Sequence, residues 1–258
     1  MRLWLLYLTA SISTISSIKL NRRLALSLSS SATASLLSPP ARAAEEGGVQ
    51  WSLDLPASFD VSRRLASIVR VRVETVLAAE EPNGVQARVL LIPFGQQAAG
   101  SFDADEQLAL ANYFLGDASK RQASDAIKLA SVMSTSAGRS RGVLKMQPMV
   151  AATRAYSKGG REFINYQYEV DKCVGEVDDG ECLGSVSRRH NLAAVTISSI
   201  SQYRTNTERQ RMAEMGQSRN VDVLWLLTLS APAAQWTPAL EARLQAVANS
   251  FEIPFSSA

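Results

Sequence analysis

"VDVLWLLTLSA", residues 221–231, is the stretch on which the fold turns. Val223, Leu224, Trp225, Leu226 and Leu227 follow one another without a polar break. Successive side chains of a strand point to opposite faces, so an extended chain with this sequence has no face to show to water. Such a strand belongs in the middle of a sheet, covered on both sides.

The segments around it supply the sheet. In "REFINYQYEV" (161–170), Ile164, Tyr166, Tyr168 and Val170 share one face, and Asn165, Gln167 and Glu169 share the other. The turn "SKGG" joins it to "GVLKMQPMVAATRAY" (142–156), a hairpin whose first strand is placed at an edge or a bulge by Pro148. "NLAAVTISSISQY" (191–203) predicts a strand, followed by a polar, charged segment from Arg204 to Asn220. Upstream, "SIVRVRVETV" (67–76) alternates Val69, Val71 and Val73 with Arg70, Arg72 and Glu74. The turn signal "EEPNG" (80–84) leads from it into "VQARVLLIPF" (85–94), a second hairpin. "WSLDLPASFDV" (51–61) predicts a short half-buried strand on Trp51, Leu53 and Leu55.

Helices separate and close these strands. "DADEQLALANYFLG" opens with Asp103 as N-cap and Glu106 at capping-box spacing, with Leu108, Ala111 and Leu115 at helical intervals and Gly116 as the stop. A second helix is expected over Ala118 to Met133, then a loop "TSAGRSRG" (135–142). "TPALEARLQAVANSF" (237–251) has Thr237 as N-cap, Pro238 at the first helical position, and a stripe of Leu240, Leu244, Val247 and Phe251. Strand neighbours joined by tight turns, with helices between and after them, predict an α+β fold: an antiparallel sheet packed by helices.

The first 43 residues read as an address rather than as structure. They hold five basic residues and no acid, which leaves 22 basic against 24 acidic in the remainder. The net charge of +3 therefore belongs to the leader, and a nucleic-acid-binding reading falls away. Arg22 and Arg23 precede a soft apolar run, a Pro-Pro break and Ala41-Arg42-Ala43, small residues suited to a signal peptidase. Before them, "MRLWLLYLTASISTISSIKL" is serine-rich and acid-free, as plastid transit peptides are. Together they are the layout of a bipartite chloroplast transit and twin-arginine thylakoid signal; a bacterial twin-arginine or Sec signal, or a leader for secondary plastids, has the same parts. Residues 44–258 form one domain of ordinary size.

Several quoted stretches carry a resemblance. Tyr166, Tyr168 and Glu169, then Arg189, His190, Leu192 and Ala193, then Ala231, Pro232 and Trp236, then Ser250 and Phe251 occur in an order similar to that of the PsbP family. Trp51 to Phe59 resembles that family's start. The family comprises lumenal extrinsic proteins of the oxygen-evolving photosystem. The resemblance implies an α/β/α sandwich, a place in the chloroplast thylakoid lumen, and a non-enzymatic protein docked on photosystem II or another thylakoid complex. It also implies a loose association with calcium. "DKCVGEVDDGECLGSVS" (171–187) and the 204–220 segment are departures from the pattern.

Chemistry is defined largely by what is missing. There is one histidine, so a multi-histidine metal site is excluded, and His190 reads as a structural residue near the sheet. No nucleophile elbow, phosphate loop, zinc-protease helix or dinucleotide fingerprint occurs. Within the insert, Glu176, Asp178, Asp179 and Glu181 are candidate calcium ligands, although their spacing is not that of an EF-hand. Cys173 and Cys182 are the only cysteines, and in an oxidising export compartment they are candidates for a local disulfide worth about 2–3 kcal/mol. Arg63, Arg64, Arg70, Arg72 and Arg88 form a candidate docking patch on an otherwise slightly acidic chain. The alternative to docking is a small-ligand-binding or catalytic lumenal protein with a pocket between sheet and helices.

The leader generates a direct prediction. N-terminal sequencing of the native protein is expected to read a start within a few residues of Ala44; a native chain beginning at Met1, or well inside "WSLDLP", overturns the processing assignment.

Overall fold

In a computed structural model, the residues described are 50–65, 72–95, 102–179, 181–201, 206–215 and 220–254. The strands are β1 (Asp60–Arg64), β2 (Glu74–Glu80), β3 (Gln86–Pro93), β4 (Val143–Lys158), β5 (Arg161–Val174), β6 (Val177–Asp178), β7 (Glu181–Cys182), β8 (Ser185–Ser201) and β9 (Asn220–Pro232). The helices are α1 (Ala104–Leu115), α2 (Ala123–Gly138), α3 (Asn206–Glu214) and α4 (Pro238–Ser250). Seven strands make one sheet in the order β1-β2-β3-β9-β8-β5-β4, with β6 and β7 as a separate small hairpin. Every neighbouring pair is antiparallel. The fold is α+β, with helices on both faces of the sheet.

β9 takes the central place that its apolar run requires, between β3 and β8. Val223, Trp225, Leu227, Leu229 and Ala231 enter the layer that α4 covers with Leu244, Val247, Ala248 and Phe251. Leu224 and Leu226 enter the opposite layer, where Leu110 of α1 and Leu129, Ala130 and Met133 of α2 meet Ile164, Tyr166, Tyr168 and Val170 of β5. Trp225 is fully buried, and its indole N–H donates to Ser198 Oγ at 2.8 Å, so even this large polar edge is satisfied.

The β2–β3 hairpin is closed by Gly84, whose φ of +81° is a conformation that a side chain disfavours. Beside it Glu81 is buried, at 3% exposure. Arg243 of α4 donates to both its oxygens at 2.9 and 2.8 Å, and Ser58 Oγ donates at 2.5 Å. Burial pushes the Glu81 carboxyl up, but Arg243 and Ser58 outweigh it and hold the group below its ordinary range. One carboxylate thus fastens the last helix to the first hairpin.

Elsewhere the chain departs from its pattern for identifiable reasons. Trp51 and Leu53 are buried, but residues 51–55 form no strand: Ser52 bridges Glu252 after α4, and Pro56 cannot donate to a ladder. β2 begins at Glu74, later than expected, and residues 66–71, with Val69, Arg70 and Val71, lie outside those described. The capping box of α1 is present, yet Leu108 and Leu115 are 60% and 54% exposed while Glu106, Gln107 and Leu110 are buried. Glu106 accepts from the Asp103 N–H and from Arg139, while Gln107 accepts from the Gly95 N–H and donates to the Phe102 carbonyl. Satisfied polar groups set the rotation of this helix, against its leucine stripe.

A three-residue turn occupies Ala118–Lys120, and α2 runs from Ala123 to Gly138, through the "TSAG" expected to be loop. Ser134 and Thr135 donate their hydroxyls to Ala130 and Ser131 carbonyls, so these residues fold back onto the helix instead of breaking it. β4 is both an edge strand and irregular, its register shifting between Met149 and Arg154 just after Pro148. β8 starts at Ser185 rather than Asn191 because the insert prolongs β5 and β8 together, Val174 facing Ser185. The polar 204–220 segment contains α3. α4 begins as expected, Thr237 Oγ1 accepting from the Leu240 N–H at 3.2 Å.

Replacing Arg243 by alanine is expected to cost about 2 kcal/mol at neutral pH, the scale of hydrogen bonds to a charged group that is largely buried. Because the Glu81 pKa is depressed, the stability it contributes is present above the ordinary carboxyl range and is lost as pH falls through its folded value. Urea denaturation of wild type and Arg243→Ala should therefore differ most near neutrality and converge in acid.

Candidate functional site

The residues that carry the resemblance lie far apart in sequence and side by side in the sheet. Glu169 of β5 faces His190 of β8, and Tyr168 faces Asn191. His190 in turn faces Ala231 of β9, and Arg189 faces Pro232. The His190 ring stacks on Trp236 with centroids 3.8 Å apart and planes 13° from parallel. Its Nε2 lies 2.9 Å from Gln167 Oε1, and Gln167 Nε2 donates to Glu241 of α4 at 2.8 Å. Glu169 stands 3.4 Å from the other ring nitrogen. Burial pushes the His190 pKa down, opposed by Glu169 and Glu241, and the net direction is downward. The imidazole is accordingly neutral at neutral pH and serves as packing between β8, β5 and the start of α4.

Because neighbours on a strand face opposite ways, Arg189 points away from His190, into the α1–α2 side. There the helices leave part of the sheet open. α2 packs on β4 and β5, and its end approaches β4 closely, since a Cβ on Gly138 would stand 3.2 Å from Met146 Cβ. Over β3, β9 and β8 a cavity of about 390 Å³ remains. Its floor includes Leu90, Leu226, Thr228, Asn191 and Tyr168, and the end of α2 with the turn after it supplies Met133, Ser136 and Ser140. The size falls within the range of small-molecule sites, and the lining combines an apolar floor with a few convergent polar groups.

The cations are unevenly distributed. Arg88, Lys172 and Arg189 line the cavity, and no aspartate or glutamate does among the described residues. Arg189 donates through Nε to Ser230 Oγ at 2.8 Å and through Nη2 to the Gly84 carbonyl at 2.8 Å. Burial pushes its pKa down, and Glu80 only partly opposes this. Tyr166 and Tyr168 stack below, their ring centroids 5.9 Å apart.

The sequence-derived site residues are placed as follows. Cys173 and Cys182 are joined in a disulfide with their Cα atoms 5.5 Å apart, at the base of the β6–β7 hairpin. Glu176, Asp178, Asp179 and Glu181 are exposed around that hairpin, Asp178 facing Glu181. Among the described residues no three His, Cys, Asp or Glu side chains are grouped to hold a metal ion, so the four do not form a cage. Arg63 and Arg72 meet on one acid, Glu74, at 2.8 and 3.2 Å. Arg64 lies over the Trp51 ring instead, Arg88 turns to the cavity, and Arg70 is outside the described residues. Lys172, Arg189 and Asn191 were absent from the sequence-derived set. Alternation around His190 was the available signal for Arg189, whereas Lys172 became a cavity residue only through the position of α2.

No family model matches the chain, and no curated protein matches it. Among solved structures it is similar to the solution structure of cyanobacterial PsbP from Synechocystis sp. PCC 6803, at 13% identity over 81% of this chain and 94% of that one, with a TM-score of 0.40. No helix among the described residues is long and apolar enough to cross a membrane.

The buried phenols give a pH signature. Burial pushes Tyr156 and Tyr168 up to about 12 and Tyr166 well above its ordinary value. The folded chain keeps these protons where the unfolded chain releases them, so stability falls as pH rises from 10.0 toward about 12. Absorbance titration should show these three phenols ionising only as the protein unfolds; their free titration at the ordinary value in folded protein would contradict the packing.

Proposed function

We propose that this chain is a non-enzymatic extrinsic protein of the thylakoid lumen that docks on photosystem II, or on a related photosynthetic complex, and stabilises or assembles it. The observation that carries the reading is the gathering of Tyr168, Glu169, Arg189, His190, Ala231, Pro232 and Trp236 at one end of β5, β8, β9 and the following turn, on both faces of the sheet. The residues that carry the PsbP resemblance are also those that hold this end of the sheet together. That interdependence favours a shared architecture over an accidental run of similar letters. The serine-rich, twin-arginine leader supports the same compartment on independent grounds.

The non-enzymatic part of the reading is supported by the setting of His190. Among the described residues its ring faces Gln167, Glu169 and Trp236, so the contacts of the single imidazole run to an amide, a carboxylate and an indole rather than to a hydroxyl or thiol. The docking part is supported by Arg63 and Arg72. Both are exposed and share one carboxylate, so the pair presents an excess positive charge to an acidic surface. A second reading, a lumenal protein that binds a small ligand, is favoured by the cavity between α2 and the sheet.

Washing thylakoids with concentrated salt is the test of docking. Screening shortens to about 3 Å at 1 M, so the protein is expected to be released without detergent. The double variant Arg63→Glu/Arg72→Glu should bind washed membranes several-fold more weakly. Retention through the salt wash, or unchanged binding of the variant, overturns electrostatic docking through this patch. Co-purification with a complex that takes no part in photosynthesis would overturn the choice of partner.

A further inference from the structure

Most of the cavity on the α2 side is apolar, and its cations have no acid among them. The Arg189 guanidinium is half-buried beside that surface, and it donates to neutral acceptors, the Ser230 hydroxyl and carbonyl and the Gly84 carbonyl. A charge withdrawn from water is costly unless it is paired. Burial has already lowered the Arg189 pKa, the direction expected of a cation short of compensation.

The neighbouring cation is close by construction. Arg189 reaches to Ser230 of β9, which faces Gln86 of β3, and Arg88 is the next residue on that same face. Two guanidinium groups therefore stand at one end of the cavity, with Lys172 on the β5 wall. Beyond them the floor turns to Leu90 and Leu226 and the wall to Met133. Guanidinium forks match the oxygens of carboxylates, sulfonates and phosphates, and the leucines match a hydrocarbon or aromatic body.

We propose that this cavity binds a small anionic amphiphile, its oxyanion head held by Arg189 and Arg88 and its apolar body lying over Leu90 and Leu226 against Met133. The inference rests on the ligand-binding reading of the cavity and is independent of docking. Binding brings no covalent step: the head pairs with the guanidinium groups and the body displaces water from the floor.

The test uses the full chain and two fluorescent probes that brighten in apolar surroundings, anionic anilinonaphthalene sulfonate and neutral N-phenylnaphthylamine. The sulfonate is expected to saturate one site and to bind about tenfold more tightly than the amine, the equivalent of a single 1.4 kcal/mol charge-assisted pairing. Arg88→Gln/Lys172→Gln should weaken the sulfonate about tenfold and leave the amine within about twofold, since a lost charge pairing acts only on the anion. Leu226→Trp, which fills the floor, should abolish binding of both while circular dichroism stays native. Ser140→Trp at the rim is the second blocking variant should the first unfold. Equal affinity for the two probes overturns the anionic class and leaves the cavity a ligand site. Absence of saturable binding, or binding indifferent to both blocking variants, overturns the cavity as a site altogether.

Discussion

β9 is apolar on both faces, and the rest of the molecule is arranged around that constraint. With Trp225 and Leu227 facing one way and Leu224 and Leu226 the other, water must be excluded from two surfaces at once. The central position between β3 and β8 satisfies its backbone; α4 covers Trp225 and Leu227 on one face, while on the other Leu224 is buried in the layer of α1 and α2 and Leu226 lies half-buried on the cavity floor. At roughly 25 cal/mol per Å² of apolar surface removed from water, exposing either face would outweigh any single hydrogen bond in the structure. The order of the sheet follows from this constraint more than from any local preference of the edge strands.

Polar groups then decide how the layers are fixed upon each other. Glu81 receives Arg243 and Ser58, Glu106 receives Arg139, and Gln167 joins His190 to Glu241. Each contact ties a helix, or the turn beside it, to a distant part of the chain, and each is buried enough that a missing partner would be costly. Apolar packing provides most of the stabilisation, while these few pairs select one rotation and one register among many that would bury similar area.

The two faces of the same strands are covered differently. On the α4 side, His190 and Trp236 are consumed in packing. On the α2 side the helices are too few to cover the long strands β5 and β8, and the uncovered portion of β3, β9 and β8 becomes a cavity with basic groups at its margins. The Arg63–Arg72 pair lies outside this cavity, so the proposed docking surface and the proposed ligand site are different surfaces.

Much of this was legible in the sequence. The apolar central strand, both hairpins, the capping box at Asp103, the N-cap at Thr237, and the stripe of α4 all depend on neighbours a few residues apart, and local periodicity records such relations directly. The sequence was equally sufficient to set Cys173 and Cys182 near each other across a short loop. It could not give the rotation of α1, because the leucine stripe was overridden by Glu106 and Gln107 bonding to Arg139, Gly95 and Phe102. Nor could it separate Arg88 from Arg63 and Arg72, since strand alternation assigns a face but not what covers that face. The cavity itself was decided only when α2 settled over β4 and β5 and left the rest of that face open. Short-range pattern fixes which residues must be buried or capped; which distant partners meet them is settled by packing between elements that no local spacing encodes.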